Sequence, residues 1–311
     1  MVRVATWNLE NLFLPGQAPG APDDRAAYDV KLDTLATVID DLRPDLLAVQ
    51  EVGDVEAVLD LAGRLPGDWT VETADPDERG IRVGFVSRSA MTNVEQVRDF
   101  PHGIGPVQVA DDLTTINRLG RPGLRVRVRA GNRTVDAVSV HLKSKLLTFP
   151  GGRFSPRDED ERARYAVYAL HRRAAEAAGV RAYATTLLAD GVDLVLAGDL
   201  NDEPEAATTQ ILLGPPGSEV GTGGFEQPDS GDAQRLWNTA GFIDPEQRWS
   251  RVYRGRAELI DHVMCSQGLV HAVERAWTGD VEVSSIGDSP VARRNEPVSD
   301  HRPVVVDIAD A

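Results

Sequence analysis

The sequence has a single cysteine and no long apolar run. Cys265 is the only cysteine among 311 residues, so no disulfide can form within the chain. It lies in the apolar stretch HVMCS, which predicts a small buried side chain rather than a catalytic thiol. No stretch approaches the roughly 18 to 20 apolar residues that would span a bilayer. The N-terminal MVRVATWN enters a strand pattern without the apolar segment of a signal peptide. We therefore expect a cytoplasmic protein without a membrane partner.

Positive charge is also scarce. The chain has 33 lysines and arginines against 49 aspartates and glutamates, which gives a formal net charge of −16 at pH 7. This balance disfavours a protein that coats nucleic acid non-specifically, because a phosphate backbone requires a broad basic surface. It does not exclude local recognition, and some of the acids can be metal ligands whose charge the ion offsets.

The rest of the composition is typical of a globular protein, with 41% hydrophobic and 26% charged residues. Strand-like runs rich in Val, Ile and Leu alternate with helical stretches at 30–41, 54–65 and 158–189. The runs 124–130 and 133–141 flank Gly131-Asn132, a hairpin turn signal. We predict an α/β protein in which two mixed, mainly antiparallel sheets pack face to face with helices outside.

Polar residues recur where the apolar strands end. Asn8, Glu51, His141, Asp199, Asn201 and Asp261 end or closely follow apolar runs, while Asp300 and His301 precede the run PVVVDI. Strand ends are where a rigid scaffold holds polar groups in water, so we expect one shared cleft. Because this set extends from residue 8 to residue 301, we also predict a single domain over 1–311.

The residues of the first strands and of the motif GDLN (198–201) suit metal and phosphate chemistry. If the strands that carry Asn8 and Glu51 are neighbours, they set an amide oxygen beside a carboxylate, and Mg²⁺ takes such ligands. In GDLN, the glycine allows a turn after the strand, and the spacing can direct both polar side chains into one cleft. Asp199 is a candidate to orient or deprotonate a water, and Asn201 to bind a phosphoryl oxygen. The alternative is an ordinary turn.

The last polar residues suggest an oriented histidine. His301 can meet a phosphate or an activated water, and Asp300 can serve the metal or the histidine. Asp261 follows an apolar run and is a candidate to orient His301. The alternative for an Asp-His pair is a surface or turn feature.

His141 ends a strongly patterned strand. It is followed by Lys143 and Lys145, cations that suit a phosphate rather than a core. Three other histidines have no comparable setting, and we interpret them as structural or exposed: His102, His171 and His262.

Together, these segments resemble the endonuclease/exonuclease/phosphatase superfamily, which has the fold of deoxyribonuclease I. The matching segments, in the family's order, are ATWNLENL (5–12), LLAVQEV (46–52), SVHLKSK (139–145), LAGDLND (196–202), ELIDHVMCS (258–266) and VSDHRPVVV (298–306). The resemblance implies a four-layered α/β sandwich and metal-dependent cleavage of a phosphoester by a water attacking in line. Glu10 and Asn11 also match the family's motif, but we interpret them as turn-forming or packing residues.

The resemblance implies roles for residues of the metal and water sites. Glu51 binds the metal, Mg²⁺ or Mn²⁺, with Asn8 close by and Asp300 on the opposite side. Asp199 positions or activates the nucleophilic water, and Asn201 holds the phosphate.

The resemblance also implies roles around the phosphate. His301, oriented by Asp261, stabilises the pentavalent transition state, while His141 assists at the phosphate or the leaving oxygen. Arg121, in INRLGRPGL (116–124), stands where relatives place a phosphate-binding arginine, and its alternative is an exposed loop cation.

The substrate is the least constrained prediction. The segment 144–162 interleaves cations with Phe149 and Phe154, a pattern that binds nucleotides by charge and stacking, or it is a plain loop that caps the long helix. Our leading hypothesis is a monomeric Mg²⁺- or Mn²⁺-dependent phosphodiesterase that cleaves nucleic acid or an oligonucleotide. The runner-up is a phosphatase or phosphodiesterase for a small phosphorylated metabolite, which the negative net charge favours. The third is a catalytically silent binding module.

Overall fold

Apolar runs with polar ends form the strands of the protein, as the sequence predicts. The computed structural model describes residues 1–287, 289 and 292–310. The strands are β1 (Val2–Leu12), β2 (Leu46–Val52), β3 (Thr70–Thr73), β4 (Arg82–Ser87), β5 (Met91–Asp99), β6 (Val107–Gln108), β7 (Thr115–Ile116), β8 (Arg118–Ala130), β9 (Arg133–His141), β10 (Leu194–Asp199), β11 (Leu236–Asn238), β12 (Arg251–Tyr253), β13 (Arg256–Glu258), β14 (Asp261–Ser266), β15 (Val273–Thr278) and β16 (Val304–Ile308).

The three longest helices have an aspartate at the N-cap. They are α1 (Arg25–Leu42), α2 (Val55–Ala62), α3 (Glu159–Ala189), α4 (Ala207–Leu213) and α5 (Gln267–Val270), with 3₁₀ turns at Asp232–Gln234, Thr239–Phe242 and Pro245–Gln247. α1 begins before the predicted residue 30, because the Asp24 carboxylate accepts a hydrogen bond from the Ala27 N–H at 2.9 Å. Asp158 caps α3 in the same way. None of the described helices is both long and apolar enough to cross a bilayer.

Two six-stranded sheets share one pattern of strand directions. Their strand orders are β15-β16-β1-β2-β4-β3 and β11-β14-β10-β9-β8-β5. A parallel pair stands inside each sheet, β1 with β2 in the first and β9 with β10 in the second, and the other neighbours are antiparallel. Ala130 pairs with Arg133, so Gly131-Asn132 form the predicted two-residue turn between β8 and β9. The sheets are therefore mixed and mainly antiparallel, as predicted.

The apolar side chains divide into layers. One cluster lies between the sheets and joins residues such as Val4 and Phe85 of the first sheet to Ala137 and Val263 of the second. Another packs α1 and α2 against the first sheet, and a third packs α3 and α4 against the second. This order of helix, sheet, sheet and helix is the predicted four-layered α/β sandwich.

Cys265 lies within β14 and is fully buried. Burial raises the pKa of its thiol to about 12. Because the thiolate is the nucleophilic form of cysteine, a thiol with so high a pKa is inert near neutral pH. This setting agrees with the structural role predicted for it.

Candidate active site

The parallel pairs of both sheets end in polar residues that meet at one cleft. β1 places Asn8 there, and Glu51 follows near the end of β2. β9 and β10 end at His141 and Asp199, which are register partners. Asn8 Nδ2 donates to Asp199 Oδ2 at 3.0 Å, and this hydrogen bond links the two sheets at the cleft. The structure thus brings together residues that the sequence assigned to a shared cleft.

Asp199 is the most connected of these residues. Its Oδ1 accepts from the Asn201 N–H at 2.8 Å, and its Oδ2 lies 3.3 Å from His141 Nε2. Burial, and then the negative charge of Asp261, raises the pKa of Asp199 to about 7. A carboxylate with this pKa can take up a proton near neutral pH, as a general base must.

Gly198 allows the backbone to reach this position. The sequence suggested that this glycine turns the chain after the strand, but it lies within β10 and has a φ of 148°. A Cβ at this position would collide with the backbone carbonyl of Val140 in the neighbouring strand. The glycine therefore serves the close approach of β9 and β10 rather than a turn.

Glu51 and Asn201 have left-handed backbone conformations at the ends of their strands. Their φ values are 58° and 54°, and such a conformation costs a non-glycine residue roughly 1–3 kcal/mol. Glu51 Oε2 accepts from the Asn11 N–H at 3.0 Å, and Asn201 Nδ2 donates to the Leu142 carbonyl at 3.1 Å. These bonds hold the turned backbone in place on each side of the cleft.

His301 is fixed by contacts with both sheets. Its Nδ1 lies 2.6 Å from Asp261 Oδ2, and its carbonyl accepts from Trp7 Nε1 at 2.8 Å. Burial disfavours the charged ring, but Asp261 and then Asp300 raise the pKa of His301 to about 10. His301 is therefore a buried cation near neutral pH, in contact with the carboxylate that the sequence proposed as its orienting partner.

His141 has the opposite electrostatic setting. Burial, and then the positive charge of Arg121, lowers its pKa well below the usual value. Its Nδ1 is buried and has no hydrogen-bond partner in the described part of the chain. When Nε2 carries the proton, the neutral ring can donate to Asp199 or to a phosphoryl oxygen.

Three carboxylates gather on the first-sheet side of the cleft around a buried lysine; we call Glu10, Glu51 and Asp300 the acidic cluster. Lys31 of α1 donates from Nζ to the Glu10 carbonyl at 2.8 Å. Burial lowers the pKa of Lys31, although the negative charges of all three carboxylates oppose this effect. Burial, and then the charge of Asp300, raises the pKa of Glu10 to about 7. Lys31 and Arg293, whose Nε lies 2.9 Å from Glu10 Oε1, offset this repulsion only in part, and such a cluster suits a divalent cation with oxygen ligands.

The sequence interpretation left Glu10 out of the site, and the structure includes it. Its carboxylate accepts from the Asp300 backbone N–H at 3.0 Å and pairs with Arg293 Nε at 2.9 Å. The signal was the spacing of two residues from Asn8, which is the side-chain period of a strand. Lys31 carried no such signal, because its helical position reads as ordinary surface.

Two groups of side chains offer themselves to a metal. Asp199, Asp261 and His301 have ligand atoms that all lie within 4.8 Å of one another. However, Asp261 already contacts His301 Nδ1 at 2.6 Å, and a protonated ring has no lone pair for a metal. The acidic cluster, with the Asn8 amide nearby, provides the hard oxygen ligands that Mg²⁺ and Mn²⁺ prefer, and it fits such an ion better.

Arg121 lies buried in β8 and is not an exposed loop cation. Its Nε lies 3.2 Å from Asp77 Oδ2, and its Nη1 is buried without a hydrogen-bond partner among the described residues. Burial lowers the pKa of Arg121, although the charge of Asp77 opposes this effect. A buried guanidinium with an unused donor, close enough to act on the pKa of His141, suits a phosphate.

The two lysines of SVHLKSK are engaged in other contacts. Lys145 Nζ pairs with Asp202 Oδ1 at 3.1 Å, and Lys143 Nζ donates to the Leu146 carbonyl at 2.7 Å. Burial, and then the charge of Arg172, lowers the pKa of Lys143 to about 7. Both side chains would have to release these partners before they could bind a phosphate.

The histidines interpreted as structural or exposed behave accordingly. His102 and His171 are exposed. His262 is buried, and its ring nitrogens contact Asn238 Nδ2 at 3.1 Å and the Asp202 carbonyl at 2.9 Å. His262 therefore helps to hold the loop after β10, through its contact with the Asp202 carbonyl.

Comparison with known sequences identifies one family. The sequence profile of the Endonuclease/Exonuclease/phosphatase family matches residues 5–301. Among curated proteins, none has significant sequence similarity to this chain.

Solved structures with this fold include proteins named as a phosphatase and as an endonuclease. Truncated TDP2 from Caenorhabditis elegans is 14% identical, has a TM-score of 0.57, and the match covers 98% of this chain and 96% of that one. The mannosyl-6-phosphatase from Bacteroides thetaiotaomicron is 15% identical with a TM-score of 0.57, and the match covers 100% of both chains. An AP endonuclease from Archaeoglobus fulgidus is 13% identical with a TM-score of 0.55, again over 100% of both. At these identities the likeness shows the fold, which this chain shares.

Proposed function

The chain belongs to the endonuclease/exonuclease/phosphatase family, and on that premise we propose that it is a divalent-metal-dependent phosphodiesterase that cleaves nucleic acid or oligonucleotides. The observation that carries the hydrolytic part is the contrast between two buried groups. The pKa of Asp199 is raised to about 7, while that of His301 is raised to about 10. Asp199 can accept a proton near neutral pH, as a general base must. His301 stays a cation, as a group that stabilises negative charge must.

In this proposal, Asp199 accepts the proton of the attacking water. Its second oxygen is held by Asn8 at 3.0 Å, and its first by the Asn201 N–H at 2.8 Å, so the carboxylate is already oriented. The protonated His301 stands next to the position where negative charge develops on the phosphoryl group. Asp261 keeps that ring charged and oriented.

Neutral His141, Asn201 and the spare donor of Arg121 are available for phosphoryl and leaving-group oxygens. The acidic cluster and Asn8 are the residues that would hold Mg²⁺ or Mn²⁺. When bound, such an ion would offset phosphate charge and lower the pKa of a coordinated water. When no ion is bound, the positive charge of Lys31 would limit the repulsion among the carboxylates.

One observation favours the second candidate function, hydrolysis of a small phosphorylated metabolite. In the segment 144–162, Phe149 is 2% exposed and Arg153 lies over its ring while pairing with Glu161. These side chains pack against one another instead of forming an open stacking surface. Phe154 is exposed and remains a candidate to stack on a base.

Hydrolysis of bis-p-nitrophenyl phosphate and p-nitrophenyl phosphate tests the proposal. The wild type and Asp199→Ala would be compared with Mg²⁺, with Mn²⁺ and with EDTA. Metal-dependent cleavage of the diester that the substitution abolishes supports a phosphodiesterase. Preference for the monoester transfers the proposal to the metabolite phosphatase. If both esters and both DNA and RNA stay intact with metal present, the nuclease proposal is wrong, which leaves a demanding natural substrate or the silent binding module.

A further inference from the structure

Arg251 is a partly buried cation at the cleft that neither the sequence motifs nor the proposed mechanism uses. It begins β12, pairs in register with Glu258 of β13, and forms an isolated β-bridge with His301. Its side chain is only 15% exposed. The backbone therefore sets this arginine between a two-stranded hairpin and the catalytic histidine.

The charges around Arg251 belong to the active site. Burial disfavours its charged form, but the negative charges of Asp199, Glu258 and Asp300 together raise its pKa. Two of these three acids lie on opposite sides of the cleft, so the guanidinium stands within electrostatic reach of both. Neighbouring Ser250 strengthens the connection, because its Oγ accepts from the Asp261 N–H at 3.2 Å.

A purely structural role would leave the guanidinium fully paired within its hairpin. Its Nη2 donates to Glu258 Oε2 at 3.1 Å, which accounts for one of the five N–H groups of an arginine. Its Nε is buried and has no hydrogen-bond partner among the described residues. An unsatisfied buried donor is costly for a residue whose task is stability. The unpartnered Nε leaves the guanidinium a donor for an anion.

We propose that Arg251 is a further catalytic residue, which donates to a non-bridging phosphoryl oxygen and stabilises the negative charge of the transition state beside His301. This inference rests on the proposed function, since it assigns a contact within the same site. The planar guanidinium suits two phosphoryl oxygens at once, which an ammonium group does not. Arg251 and Arg121 would then contact the phosphoryl group from separate strands.

The test compares Arg251→Gln and Arg251→Lys with the wild type. The matched control is Arg256→Gln on the other strand of the hairpin, where the arginine is 66% exposed and pairs with Glu203. Three quantities would be measured: kcat and KM for bis-p-nitrophenyl phosphate with Mg²⁺, the Kd of inorganic phosphate by calorimetry, and the unfolding temperature. We expect Arg251→Gln to lower kcat about 100-fold or more, as loss of a transition-state donor does. KM should change much less, phosphate should bind more weakly, and Arg251→Lys should recover part of both losses.

Phosphate binding keeps this inference separate from the proposed function. If the wild type hydrolyses no phosphoester but binds phosphate, and Arg251→Gln weakens that binding, the proposed function fails while the Arg251 contact stands. If Arg251→Gln lowers only the unfolding temperature and leaves kcat and phosphate affinity unchanged, Arg251 is a structural hairpin residue. An equal loss in Arg256→Gln would also overturn the assignment, because it would show a general effect of the hairpin. A wild type that neither turns over nor binds phosphate overturns both proposals.

Discussion

In both six-stranded sheets a parallel pair of strands ends at the cleft, and an antiparallel neighbour begins there. In the first sheet these strands are β1, β2 and β16; in the second they are β9, β10 and β14. The backbone arrangement is thus nearly the same on both sides. The side chains differ, because the first sheet carries the acidic cluster around Lys31, while the second carries His141, Asp199 and Asp261.

This difference separates two kinds of electrostatics. On the first side, carboxylates repel one another around a buried ammonium, and the pKa of Glu10 rises to about 7. On the second side, Asp261 lies 2.6 Å from His301 Nδ1, and its negative charge raises the pKa of both His301 and Asp199. The comparison teaches that one pattern of strand directions can present a candidate metal-binding side and a candidate proton-transfer side, because different residues end its strands.

The most damaging change to the second side is Asp199→Asn. We expect turnover to fall about 10³- to 10⁴-fold, because the amide keeps the size of the side chain but cannot accept a proton. The Asn201 N–H can still donate to the amide oxygen, but the hydrogen bond from Asn8 Nδ2 is lost, so the unfolding temperature should fall modestly. Steady-state kinetics and thermal unfolding would check this. Turnover close to the wild-type value would show that another group is the base.

The corresponding change on the first side is Glu51→Gln. We expect the Mg²⁺ concentration at half-maximal activity to rise about 10- to 100-fold, since a ligand charge is lost while the base is untouched. Activity at saturating metal should recover most of its wild-type value. Metal titration would measure this, with Glu56→Gln, an exposed acid on α2, as the control. An unchanged titration curve would remove Glu51 from the metal site.

The pH profile sharpens the contrast between the sides. Asp199 must be deprotonated, so kcat/KM should fall about tenfold per pH unit below the Asp199 pKa of about 7. His301 must be protonated, so activity should also fall above its pKa of about 10. Since the negative charge of Asp261 raises both values, Asp261→Asn should move both limbs to lower pH. A profile whose limbs stay in place would contradict this coupling.

The smallest expected effects separate the cations of the cleft. Arg121→Gln should raise KM roughly tenfold, because a charged donor to the phosphate is lost. Lys145→Gln should change KM little, because Lys145 already pairs with Asp202. Kinetics of both variants on one diester would test this order. The reverse order would mean that Lys145 leaves Asp202 when substrate binds.

Much of the fold could be predicted from the sequence, because alternation and turn chemistry are local. The β8–β9 hairpin follows from Gly131-Asn132 between two alternating runs. The start of α1 was placed too late, since the cap at Asp24 precedes the helical apolar pattern. Gly198 was assigned to a turn, because sequence does not reveal the carbonyl that approaches it from the next strand.

The candidate site was predicted less evenly. The polar residues that end strands were found because each breaks an apolar run. The sequence gives little reason to place Glu10, Lys31 and Arg251 at the cleft, because the neighbours that place them there lie far along the chain. Lys143 and Lys145 were assigned to the phosphate by their positive charge alone, and the structure engages both in other contacts.

By itself, the sequence determined which chemical groups stand at the ends of which strands, and its motifs determined the family. Only the tertiary structure decided that Asn8 touches Asp199, 191 residues away, and that Asp261 touches His301. It also decided which groups are charged, since the pKa of His301 is raised and that of His141 is lowered. The physical reason is that strand patterns depend on neighbours along the chain, whereas a pKa depends on burial and on charges brought close in space.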